Sequence, residues 1–110
     1  MITRFALFEG SVVADKVEDF RAAVMDSLVP LWTQFPGNTD VRVMFGEDRD
    51  EGAPEFPLIL AITYPDRATM TAALDSPARF RSKEVTGEII DAYFTGRIHH
   101  HVMALNGYGG

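Results

Sequence analysis

Three consecutive histidines, His99, His100 and His101, sit inside the apolar segment Arg97 to Leu105. Native-looking sequence follows them, so they read as part of the fold and not as a purification tag. On a strand, successive side chains point to opposite faces. His100 then shares a face with Ile98, Val102 and Ala104, while His99 and His101 share the other with Met103. Strand residues two apart have Cα atoms about 6.5–7 Å from each other. His99 and His101 could therefore chelate one metal ion if a third ligand came from elsewhere. Otherwise they hydrogen-bond to neighbours at an interface or a sheet edge. His100 has the apolar company. A lone imidazole in an apolar cleft has its charged form disfavoured and can act as a general base near neutral pH.

Other residues could join it. Tyr64 ends an apolar run, and Trp32 and Tyr93 carry polar tips on large apolar bodies, so each could line a cleft. Arg4 lies in an N-terminal strand, where an unpaired charge is costly. It must find an acid or meet an anionic ligand, and an ion pair is the expectation. There is no Gly-rich phosphate loop, no G-x-S-x-G elbow and no H-E-x-x-H in the chain.

Sequence pattern gives the elements that position these residues. Ile2 to Phe8 is rich in strand formers, and Gly10 is expected to close the strand. Val17, Phe20, Val24, Leu28, Leu31 and Phe35 recur at steps of three and four, which is one helical stripe. Asp15 with Glu18 fits the start of that helix. Pro30 should kink it, because it removes a donor and crowds the Asp26 carbonyl. Asp40 to Phe45 alternates as a strand, and Phe56 to Tyr64 is nearly continuous apolar sequence. Between them, Glu47, Asp48, Asp50, Glu51 and Glu55 lack the spacing of a calcium loop and read as a solvated hairpin tip. Next comes a short helix, capped by Asp66 and ended at Ser76-Pro77. A second helix carries Val85, Ile89, Ala92 and Tyr93 on one face, is weakened by Gly87 and should stop at Gly96. Arg97 to Leu105 is the last strand.

The order β-α-β-β-α-α-β is that of an α+β, ferredoxin-like split βαβ subunit with a four-stranded antiparallel sheet, in a single domain over 1–110. Helices would cover one face of this sheet. In Phe56 to Tyr64 neither parity forms a water-facing set. The simplest cover for the second face is another copy of the same sheet, so the chain is expected to be a homodimer with C2 symmetry. A domain of 110 residues buries only about two-thirds of its unfolded surface, which makes a twin subunit useful to it.

Composition excludes several function classes. The net charge of −6 and the absence of a Lys/Arg cluster speak against nucleic acid and anionic membranes. No cysteine is present, so disulfides, thiolate metal sites and cysteine nucleophiles are excluded. Arg4 and Glu9 interrupt the N-terminal apolar run, and no stretch of about 18 apolar residues exists. A cytoplasmic protein is expected.

The strand FALFEG, the helix end VPLWTQFPG and the segment ITYPDRATMTAALDSP together resemble the EthD-like group of the dimeric α+β barrel superfamily. The resemblance spans nearly the whole chain. It implies a dimeric α+β barrel whose subunits hold small molecules, in a superfamily that includes cofactor-independent monooxygenases, isomerases and proteins without known activity. Many relatives have His-x-Pro-Leu at the end of the first helix, with the histidine facing the pocket. Here the stretch reads Leu28-Val29-Pro30-Leu31. Leu28 would then line the pocket without being able to move a proton. The resemblance thus implies a homodimer that binds a small apolar organic compound without a cofactor. As an enzyme it would be an isomerase, cyclase or monooxygenase, with His100 as base, Tyr64 as donor and Arg4 holding negative charge. A non-catalytic binding protein and a histidine metal-binding protein are the alternatives.

Overall fold

A computed structural model describes residues 1–109. Among them, β1 (Ile2–Val12), β2 (Asp40–Phe45), β3 (Leu58–Tyr64) and β4 (Phe94–Ala104) form one sheet in the order β2-β3-β1-β4. Every neighbouring pair is antiparallel. The helices are α1 (Val17–Ala23), α2 (Val29–Trp32), α3 (Arg67–Leu74) and α4 (Pro77–Tyr93). This is the ferredoxin-like split βαβ arrangement. None of the helices is long and apolar enough to cross a membrane.

The first helical segment is irregular where Pro30 requires it. A π turn, Val24–Leu28, separates α1 from α2, and the Val29 amide donates to the carbonyl of Val24, five residues back. Pro30, which has no amide to offer, takes a place in the first turn of α2. A π turn holds one residue more than an α turn, so the chain beyond it is rotated by about 100°. The buried stripe therefore runs Phe20, Val24, Leu28, Trp32, Phe35. Trp32, and not Leu31, faces the core. At the start of the helix, Asp15 and Glu18 do not form the expected cap. A 3-10 turn over Ala14–Lys16, held by Val13 N–H to Tyr93 O and Lys16 N–H to Val13 O at 2.9 Å each, delays the helix, and Lys16 stands at its N-cap without a side-chain bond.

Asp66 caps α3 as its sequence suggests, accepting from the Thr69 amide at 2.8 Å and its hydroxyl at 2.7 Å. Ser76 caps α4, with Pro77 in the first turn. Gly10 and Gly96, expected as stops, lie instead inside β1 and β4 as register partners, both at φ 151°. A Cβ on Gly10 would stand 2.1 Å from the Thr95 carbonyl oxygen, and one on Gly96 the same distance from that of Glu9. Two missing side chains let two eleven-residue strands approach there, and α4 passes into β4 without a loop.

All helices pack on one face of the sheet. The buried cluster takes Ala6 and Phe8 from β1, Leu58, Leu60, Ile62 and Tyr64 from β3, and Phe94 from β4, all of one parity. The opposite face carries Phe5, Leu7 and Ile59, half-buried, beside exposed Met44 and Met103. Thr3 and Thr63 bond to each other across it at 2.8 Å. The acidic β2–β3 connection is largely exposed and includes the ion pair Arg49–Glu55 at 3.2 Å; its Glu47 pairs with Arg21 at 3.3 Å.

Candidate ligand cleft

Between the sheet and α4 lies a cleft of about 300 Å³. Its floor is the helix-side parity of three strands: Arg4 and Ala6 of β1, Leu60, Ile62 and Tyr64 of β3, and Ile98 and His100 of β4. Trp32 and Phe35 also line the cleft. One side of α4 forms the roof, through Arg79, Ser82, Lys83, Thr86, Gly87 and Ile90. The volume is at the small end of the range of about 300–1,000 Å³ usual for ligand sites.

Register brings the polar groups together. His100 is the partner of Ala6, Arg4 is the partner of both Val102 and Ile62, and Tyr64 is the partner of Ile2. Paired residues share a face, so His100, Arg4 and Tyr64 all point toward the helices. None of the three is hydrogen-bonded to another side chain among the described residues. Yet no buried side-chain nitrogen or oxygen among those residues lacks a partner. All three line the cleft, although Tyr64 as a whole is only 1% exposed.

The surroundings set their protonation. Burial, followed by the charges of Arg4, Arg79, His99 and Lys83, lowers His100 from 6.5 to about 4. It is a neutral imidazole at physiological pH. Burial raises Tyr64, against the pull of Arg4 and Arg79, and keeps it a phenol able to donate. Burial lowers Arg4, helped by Arg79 and opposed by Tyr64. The ion pair expected for Arg4 does not form: it takes part in none of those among the described residues.

Of the residues singled out from the sequence, His100, Tyr64, Arg4 and Trp32 line the cleft. Leu28 and Tyr93 do not. Leu28, the last residue of the π turn, is 1% exposed and packs in the core, and Tyr93 is half-buried at the end of α4. His99 and His101 lie on the other face. His99 Nε2 donates to Glu9 Oε1 at 2.7 Å, His101 is exposed, and the described residues contain no group of three metal-ligating side chains. Arg79 and Lys83 are cleft residues that the apolar pattern of α4 does not reveal. They lie four apart, on a polar flank beside the Val85–Ile89 stripe, and that spacing is the one signal the sequence offers for them.

No family model matches the chain, and no curated protein does. Solved structures do match. An ethyl tert-butyl ether D (EthD) family protein of Bacillus halodurans superposes with a TM-score of 0.72 at 21% identity, over 92% of this chain and 96% of that one. A dimeric ferredoxin-like protein of unknown function from Thermobifida fusca gives 0.64 at 18% identity, over 94% and 90%. SnoaB, a cofactor-independent oxygenase of Streptomyces nogalater, gives 0.63 at 13% identity, over 97% and 95%. The chain has the ferredoxin-like α+β fold of these proteins, the EthD structure among them.

Proposed function

We propose that the protein is a homodimer in which two sheets close face to face into an α+β barrel, and that each subunit binds a small, largely apolar organic molecule in its cleft. One observation carries the reading: an apolar cleft lined on the helix side of the sheet by His100, Tyr64 and Arg4. The half-buried Phe5, Leu7 and Ile59 on the outer face support the dimer, as does the dimeric description of the Thermobifida fusca structure.

The chemistry that fits is proton transfer without a cofactor. With its pKa at about 4, His100 is neutral but a weaker base than the near-neutral one expected from its apolar strand face. It takes a proton only from a strongly acidified carbon, such as one between two carbonyls, and the electron pair stays on the substrate as an enolate. Tyr64 donates to the enolate oxygen, and Arg4 stabilises its charge in a site of low dielectric. Returning the proton to another carbon is an isomerisation. With dioxygen as co-reactant, the same carbanion could be oxygenated, and a cofactor-independent oxygenase shares the fold. The test is exchange of carbon-bound hydrogen into D2O, followed by NMR over a panel of small 1,3-dicarbonyl compounds. The wild-type chain should accelerate exchange for at least one compound, and His100→Gln should lose about a hundredfold. Equal rates in the two proteins would remove His100 from the chemistry.

His100, Tyr64 and Arg4 are not bonded to one another. This supports a second reading, a binding protein without turnover. It predicts ligand binding with no exchange above the buffer rate.

A further inference from the structure

The charges around the cleft do not match those of the rest of the chain. The protein carries a net charge of −6. On its surface Arg21, Arg42, Arg49 and Arg81 each hold a carboxylate at 2.6–3.3 Å. Arg4, Arg79 and Lys83 meet in the cleft, and no carboxylate is among its lining residues. None of the three forms an ion pair among the described residues. Arg79 spends one nitrogen on the Leu74 carbonyl at 3.1 Å, which fixes its side chain beside the cleft. Arg79 and Lys83 are four residues apart, on one face of α4, where like charges repel. Arg4 rises from the floor opposite them. Arg4 and Arg79, both partly buried with no acid between them, disfavour each other's charge, and exposed Lys83 adds a third cation at the mouth.

We infer that the ligand is a small organic acid: its apolar body lies against Trp32, Leu60 and Ile62, and its single anionic group, a carboxylate, is held between Arg4 on the floor and Arg79 and Lys83 on α4. This rests on the cleft being the binding site and adds the charge of what it binds. A guanidinium binds a carboxylate through paired N–H donors, and Lys83 supplies a point charge at the mouth. The walls beyond the cations are aliphatic and aromatic, which excludes densely charged ligands such as polyphosphates. The size of the cleft suits a body of about one or two rings, or an alkyl chain of similar bulk.

The experiment is calorimetric titration of the full chain with hexanoate, benzoate and phenylacetate, each beside its neutral carboxamide. At least one acid should bind about tenfold tighter than its amide, and the gap should shrink with added salt. Arg79→Gln and Lys83→Gln, on the roof of the cleft, should each narrow the gap by weakening the acid more than the amide. Arg4→Gln should narrow it most, with its circular dichroism spectrum checking the fold. Acids and amides that bind equally would overturn the assignment of charge and leave the cleft as a binding site. If neither class binds at millimolar concentration, the reading of the cleft fails and this inference fails with it.

Discussion

Arg4 and His100 are diagonal neighbours across β1 and β4: the strand partner of Arg4 is Val102, two residues beyond His100 on the same face. Such positions lie about 7–8 Å apart, within reach of long side chains. The guanidinium is thus a fixed charge beside the imidazole, and after burial it is the main cause that holds His100 down at about 4.

Replacing Arg4 with Met should therefore raise His100 part of the way back toward 6.5. The recovery stays partial because burial is the larger cause and Arg79, Lys83 and His99 still contribute. An NMR titration of the His100 Cε1–H resonance measures it directly. An unchanged midpoint would mean that the two side chains do not interact across the strands.

Stability should carry the same signature. The folded chain resists protonating His100 until about pH 4, whereas the unfolded chain takes the proton near 6.5. Between those values the unfolded state binds more protons, so stability falls as pH drops from 6.5 to 4. The ring is half-buried, so the loss is about 1–2 kcal/mol and not the full value of the shift. His100→Gln should remove this part of the pH dependence in urea melts taken from pH 7 to pH 4. The capping Asp66, lowered by its bonds to Thr69, adds its loss only below its ordinary 3.8.

A carboxylate in the middle of the outer face should undo the dimer. Leu7 is half-buried at the centre of that face, between Ile59 and His99 in the register. The wild-type chain should sediment as a dimer at micromolar concentration, and Leu7→Asp as a monomer, because an unpaired buried charge costs several kcal/mol. A monomeric wild-type chain would contradict the barrel.

How much of this was legible in the sequence depended on the range of each interaction. The face of His100 comes from strand parity within nine residues. That Arg4 and Tyr64 share this face requires the register across three strands, which parity within each strand cannot supply. The swap of Leu31 for Trp32 depends on where the helix places its extra residue, and Pro30 marks the irregularity without giving its form. Gly10 and Gly96 look like stops one at a time. Their purpose is a mutual close approach between residues 86 apart in sequence. Arg79 and Lys83 stay hidden because the apolar stripe of α4 marks its core face, while the cleft is lined by the flank beside it.

Trp32 offers the most direct measurement. It is the single tryptophan, it is 3% exposed, and it lines the cleft, so its emission reports on what enters. Gly87 borders the same volume on α4, and a Cβ there would meet nothing within 4 Å, so Gly87→Phe should fill the space without disturbing the helix. Titration with phenylacetate should give a saturable change in Trp32 emission in the wild-type chain and none in Gly87→Phe. The same saturable change in both proteins would place the binding site elsewhere and contradict the account.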